Sequence, residues 1–105
     1  MADIDQIFTA ESIRDTSEHI SGESVTGEFV AKTLFIANGH NQQGAFQLQG
    51  AIDTVWLDVG SPFNIAASTN DYRTVTDYFP LFRVKATYAT APTTGTLSLF
   101  VLKTR

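Results

Sequence analysis

From residue 28 onward, apolar and polar residues alternate with a period of two, the pattern of strands that bury one face. "GAFQLQG" sets Phe46 and Leu48 against Gln47 and Gln49, and "TVWLDV" sets Val55, Leu57 and Val59 against Trp56 and Asp58. Near the end, Phe82, Val84, Ala86 and Tyr88 oppose Arg83, Lys85 and Thr87, while Leu97, Leu99 and Val101 oppose Ser98, Phe100 and Leu102. "EFVAKTLFIA" is apolar on both sides, with Val30, Leu34 and Ile36 against Phe29, Ala31 and Phe35, which predicts a strand covered on both faces. In "ATAPTTG", Pro92 fixes φ and Gly95 supplies a positive φ. The turn predicts that residues 82–88 and 97–102 are antiparallel neighbours. "DYFPLF" predicts Phe79 and Phe82 buried with Tyr78 at the rim.

About seven to eight such runs, separated by "NGHNQQG", "GAIDT", "GSP" and "STNDY", describe an all-β antiparallel β-sandwich or jelly roll. The first 27 residues differ. Ile4, Ile7 and Phe8 have helical spacing, and "TSEHISGESVTGE" then has too little apolar content to bury much by itself. Residues 1–27 therefore read as an extended N-terminal segment, either an arm that orders against a partner or an edge segment, ahead of a sandwich domain over 28–105.

Composition narrows the function. A chain of 105 residues is one domain, and without cysteine it has no disulfide framework, thiolate nucleophile or Cys-based zinc site. Net charge is −4 and the seven basic residues are scattered, so the phosphate-neutralising stripe of a nucleic-acid binder is missing. "MADIDQIF" lacks the basic and apolar regions of a secretory signal, and no apolar run approaches the roughly 20 residues that span a bilayer. The expectation is a soluble protein with no nucleic-acid or membrane partner.

Catalytic signatures are missing too: no phosphate loop, no HExxH, no GxSxG, and in "GESVTG" the spacing is wrong for a nucleophile elbow. No D-x-D-x-D-G run gathers Asp53, Asp58, Asp71 or Asp77 into a calcium cage, and aspartates in turns bond their own backbone. We expect no enzyme, no cofactor and no metal site. Candidate contact residues remain. Ile4, Ile7, Phe8, Trp56, Tyr78, Phe100 and Leu102 form a candidate protein interface, Phe100 and Leu102 because they lie opposite the core side of the last strand. Asn38, His40, Asn41 and Gln42 form a candidate binding loop.

The Trp-containing strand "TVWLDVG", the "DYRTV" turn, the aromatic-Pro corner "DYFPLF", the "RVK" strand and the "PTTGTL" turn resemble, in this order, small β-sandwich virion proteins of tailed phages. That family includes capsid decoration, or cement, proteins and tail-fibre modules. The resemblance runs from Thr33 to Arg105 and is one of strands and turns. It implies a homotrimer bound to the major capsid protein on the outer surface of the virion, made in the host cytoplasm, with residues 1–27 as a reaching arm. The alternative it implies is a carbohydrate- or receptor-binding tail-fibre module, in which Trp56 with Tyr72 or Tyr78 stacks on a sugar.

Overall fold

The computed structural model describes residues 2–27, 29–77 and 79–104. Tyr78, one of the candidate interface residues, lies outside them. The strands are β1 (Ala2–Glu11), β2 (His19–Ile20), β3 (Ser24–Val25), β4 (Ala31–Asn38), β5 (Gly44–Ile52), β6 (Val55–Asp58), β7 (Phe63–Ile65), β8 (Thr69–Val75), β9 (Leu81–Thr87) and β10 (Leu97–Thr104). No helix occurs among the described residues.

One sheet has the order β1-β10-β4-β8. In the other, β9 and β5 are central, with β2 and β3 along the outer side of β9 and β6 and β7 along that of β5. Every pairing is antiparallel. With β2 and β3 taken as one interrupted edge and β6 and β7 as another, each sheet is four strands wide. The strand order is then that of a jelly roll, two Greek keys wound through two sheets.

The alternation builds the core as the sequence predicts. Leu34, Ile36, Leu97, Leu99 and Val101 of one sheet meet Phe46, Leu48, Phe82, Val84 and Ala86 of the other. Phe82 is buried and Phe79 packs against the cluster from its rim.

Two expectations are corrected and a third is narrowed. First, residues 82–88 and 97–102 are not neighbours: β9 lies in one sheet and β10 in the other, between β1 and β4. Their connector crosses the roughly 10 Å between the sheets, a route that an alternating pattern does not distinguish from a hairpin. Gly95 does take positive φ, at 86°. Second, Val55 and Leu57 are exposed, because β6 is an edge strand and Phe79, not Leu57, fills the space over Gly50. Third, of the two readings of residues 1–27 the described part follows the edge segment and not the arm: β1 and β2–β3 are edge strands of the two sheets, and Ile7, Phe8 and Ile13 enter the core. The helical spacing of Ile4, Ile7 and Phe8 comes from a bulge. The register of β1 on β10 shifts between Gln6 and Phe8, which lets the consecutive Ile7 and Phe8 both turn inward.

Charged groups fasten this first segment. Lys103 of β10 is buried, and its Nζ donates to Asp5 Oδ2 at 2.7 Å and to the Val25 carbonyl at 2.9 Å. Ser24 Oγ donates to the same carboxylate at 2.6 Å, so one cluster ties β1, β3 and β10 across both sheets. Partial burial pushes the Asp5 carboxyl up, but the bonds from Lys103 and Ser24 outweigh it and hold the group below its ordinary value.

Directly across from Lys103 on β4 is Lys32, only 2% exposed, donating to the Asp77 carbonyl at 2.6 Å and lying 4.9 Å from the centre of the Phe82 ring. Burial lowers its pKa, with the Asp77 charge opposing. The unfolded chain therefore holds this proton more tightly, and stability rises with pH between the lowered value and 10.5. Lys32→Met is expected to be at least as stable as the parent near neutral pH, by about 1 kcal/mol, because a buried charge is replaced by an apolar chain of similar length. It is also expected to lose that rise. Urea midpoints of both proteins from about pH 7 to about pH 10 test this, and a rise that persists in the variant would rule Lys32 out as its source.

Candidate interaction face

The outer face of the β1-β10-β4-β8 sheet follows from alternation: residues between the inward-pointing ones must face out. They are Ile4 and Gln6 on β1, Ser98, Phe100, Leu102 and Thr104 on β10, Ala31, Thr33, Phe35 and Ala37 on β4, and Asn70, Tyr72 and Thr74 on β8. None of them carries a charge. The register sets Gln6, Phe100, Phe35 and Tyr72 side by side across all four strands, and Ile4, Leu102, Thr33 and Thr74 in the row beside them. The Phe35 and Tyr72 rings are 6.3 Å apart. Ile4, Phe35, Phe100 and Leu102 line an open depression of about 450 Å³. Ile4 is 67% exposed, Tyr72 60% and Phe35 43%.

A charge-free, aromatic-centred sheet face is unusual for solvent-exposed surface and has the composition of the core of a protein–protein interface. The outer face of the other sheet is its opposite. There Arg83 Nε donates to Gln49 Oε1 at 2.8 Å, and Gln49 Nε2 donates to Asp58 Oδ1 at 2.9 Å. The Arg83 guanidinium lies 3.9 Å from the centre of the Trp56 ring, and Lys85 pairs with Glu18 at 3.5 Å. This face is polar, charged and internally bonded.

The structure separates the candidate interface residues. Ile4, Phe100 and Leu102 share the uncharged face; Ile7 and Phe8 are core residues and cannot contact a partner. Trp56 points outward but lies on the opposite side of the sandwich from Tyr72, so the two cannot form one stacking plane for a sugar, and Arg83 already covers one side of the indole. Phe35 was not among the expected contact residues, and Tyr72 was expected only as a sugar-stacking partner of Trp56. Phe35 had a signal: an apolar residue on the second face of "EFVAKTLFIA" implies a second covering layer, and nothing among the described residues supplies it.

The candidate loop is different in kind. Asn38 and His40 are fully buried. Asn38 Nδ2 donates to the carbonyls of Gln42, Ile65 and Ala66 at 3.1, 3.2 and 3.0 Å, and its Oδ1 accepts the Tyr88 hydroxyl at 2.7 Å. The Thr94 carbonyl lies 3.1 Å from His40 Nδ1 and Arg14 Nη1 3.4 Å from the same nitrogen, while Ile13 N–H approaches Nε2 at 3.5 Å. Both ring nitrogens are thus engaged. Asn41 is exposed, and its side chain bonds Thr93 at both ends, to Oγ1 at 2.8 Å and from the backbone N–H at 2.9 Å. Polar residues in a turn read as binding groups in sequence; here they are the internal wiring that closes one end of the sandwich. Among the described residues, no three His, Cys, Asp or Glu side chains gather to hold a metal ion.

The strand order and the two contrasting faces place the chain among jelly-roll β-sandwiches. No protein-family model and no curated protein sequence matches it. Solved structures do. The crystal structure of PBSX exported protein XepA matches with a TM-score of 0.74 at 13% identity, over 99% of this chain and 37% of that one. The chain thus spans little more than a third of XepA. PirA matches with a TM-score of 0.53 at 11% identity, covering 99% of this chain and 93% of PirA. The coat protein of Tobacco streak virus matches with a TM-score of 0.51 at 8% identity, covering 99% of this chain and 86% of the coat protein. At these identities the likeness is one of fold.

Proposed function

We propose that the chain is a non-enzymatic structural protein of a phage particle, a decoration protein that binds the major capsid protein on the outer lattice and assembles there with copies of itself as a homotrimer. The observation that carries this reading is the uncharged outer face around Phe35, Phe100, Leu102 and Ile4, a surface suited to burial against protein. The fold shared with a PBSX exported protein and a viral coat protein supports the setting. The mechanism is mass action. A protein that binds only the assembled lattice stabilises that lattice by its binding free energy, and trimerisation joins several weak contacts into one strong attachment.

The test is the native mass by size-exclusion chromatography with light scattering, followed by co-sedimentation with expanded capsids. The wild-type chain is expected to run at three times its 11.5 kDa mass. Phe100→Glu combined with Leu102→Lys, which leaves net charge unchanged, is expected to run as a monomer and to bind capsids at least about tenfold more weakly. A variant that keeps the wild-type mass and capsid binding would remove this face from the proposal.

A further inference from the structure

Two antiparallel sheets that do not close into a barrel leave four edges, each able to accept a strand from another chain. Three are short or interrupted. β2 and β3 are two residues each, β6 and β7 are four and three with a break between them, and β1, though ten residues long, is interrupted by two register shifts and is met at the first of them by Gly22 N–H on the Ile7 carbonyl at 2.9 Å. β8 is different: seven unbroken residues, paired on one side with β4.

In an antiparallel pair, the backbone groups of alternate residues point away from the partner. On β8 these belong to Asn70, Tyr72 and Thr74, and Tyr72 is the middle one. Both of its backbone groups are taken, by the side chains on either side of it. Asp71 Oδ1 accepts Tyr72 N–H at 2.8 Å, and Arg73 Nη1 donates to the Tyr72 carbonyl at 2.9 Å. The same Nη1 donates to Asp71 Oδ2 at 2.8 Å, which closes a ring of bonds around the edge. The Arg73 guanidinium also lies 4.5 Å from the centre of the Phe63 ring in the other sheet, so the clasp is anchored across the open side of the sandwich. The bonds from Arg73 and from Tyr72 N–H hold the Asp71 carboxyl below its usual range, which keeps it an acceptor.

We propose that Asp71 and Arg73 form an edge guard: they occupy the backbone hydrogen-bonding groups of Tyr72 and thereby stop β8 from pairing with a strand of a second copy. A pairing strand would need the Tyr72 N–H and carbonyl, and to reach them it must break two backbone caps and an ion pair together. The guard works by satisfying the edge locally and by setting two opposite charges beside it. It directs self-assembly away from open-ended strand addition and leaves faces, not edges, as the contact surfaces.

The test compares two double variants with identical charge. Asp71→Ala with Arg73→Ala removes the clasp. Asp71→Asn with Arg73→Gln removes the same charges but keeps an acceptor for the Tyr72 N–H and a donor for its carbonyl. Both are made in the Phe100→Glu, Leu102→Lys background, so that association through the sheet face does not enter. The alanine pair is expected to form species whose mass grows with concentration, while the amide pair stays with the parent. At the lowest concentration, Tyr72 amide hydrogen exchange read by NMR is expected to quicken about tenfold in the alanine pair, the loss of one hydrogen bond, and to stay near the parent rate in the amide pair. The guard is overturned if the alanine pair keeps the parent's mass and exchange rate, or if the amide pair associates as readily as the alanine pair.

Discussion

Alanine in place of Gly95 is expected to leave little folded protein, at a cost of more than about 4 kcal/mol against a total stability of about 5–15 kcal/mol for a domain of this kind. Two effects add. Gly95 sits at a φ of 86°, where a side chain strains the backbone by roughly 1 kcal/mol. A Cβ there would also stand 1.9 Å from the Gly39 carbonyl oxygen, 2.6 Å from its carbon and 2.8 Å from His40 Cα. All three are backbone atoms, so no rotamer change relieves the overlap. The loop that would have to move also carries the Asn38 and His40 bonds and Gly39 N–H on the Thr96 carbonyl at 2.9 Å. Gly60→Ala is the control: φ is 71°, but nothing lies within 4 Å of the added atom. It is expected to cost only about 1 kcal/mol. Soluble yield and urea midpoints of the two variants check this, and equal effects would mean that the close approach of residues 39 and 95 is not what matters.

Gly95 also shows how far the sequence can be read. A glycine after "PTT" signals a positive φ whatever the strands around it do, because that is a local property of the turn. Which strands the turn connects is a non-local matter, decided by which faces find each other in the core, and a period of two is the same for a hairpin and a crossover. The all-β class and most inward residues, such as Phe46, Val84 and Leu99, were therefore legible, whereas the placement of β9 and β10 in different sheets was not. The β1 bulge hid a strand for a related reason: one extra residue turns alternation into the spacing of a helix. The face around Phe100 and Leu102 could be read from the last strand alone. Its extension to Tyr72 needed the register of β4 on β8, which one sequence does not contain.

The polar loop was misread because side-chain chemistry does not reveal direction. Asn38 has the composition of a contact residue, yet it is the hub of a buried network, which leads to a pH-dependent expectation. Asn38→Asp keeps the shape of the side chain and replaces an amide nitrogen that donates to three carbonyls by an oxygen 3.0–3.2 Å from the same three. Near pH 7 that oxygen is charged in the unfolded chain; in the fold it meets only acceptors at a fully buried site. The cost is expected to be about 4 kcal/mol or more. Protonation turns the oxygen into a donor to one carbonyl, so the folded-state pKa of the new carboxyl is raised above its unfolded value. The folded variant then binds that proton more tightly than the unfolded chain does. The added penalty is absent below the unfolded pKa of about 4 and grows as pH rises toward the folded one. Asn38→Ala, which removes the donor without adding charge and leaves the Tyr88 hydroxyl without its acceptor, is expected to show a deficit against wild type that does not change with pH. The comparison is between the two deficits, since other carboxylates move all three proteins together. If the aspartate deficit is flat from about pH 3 to about pH 7 and equals that of alanine, the site relaxes enough to hydrate the charge, and the buried network around Asn38 and Tyr88 does not hold that end of the sandwich closed.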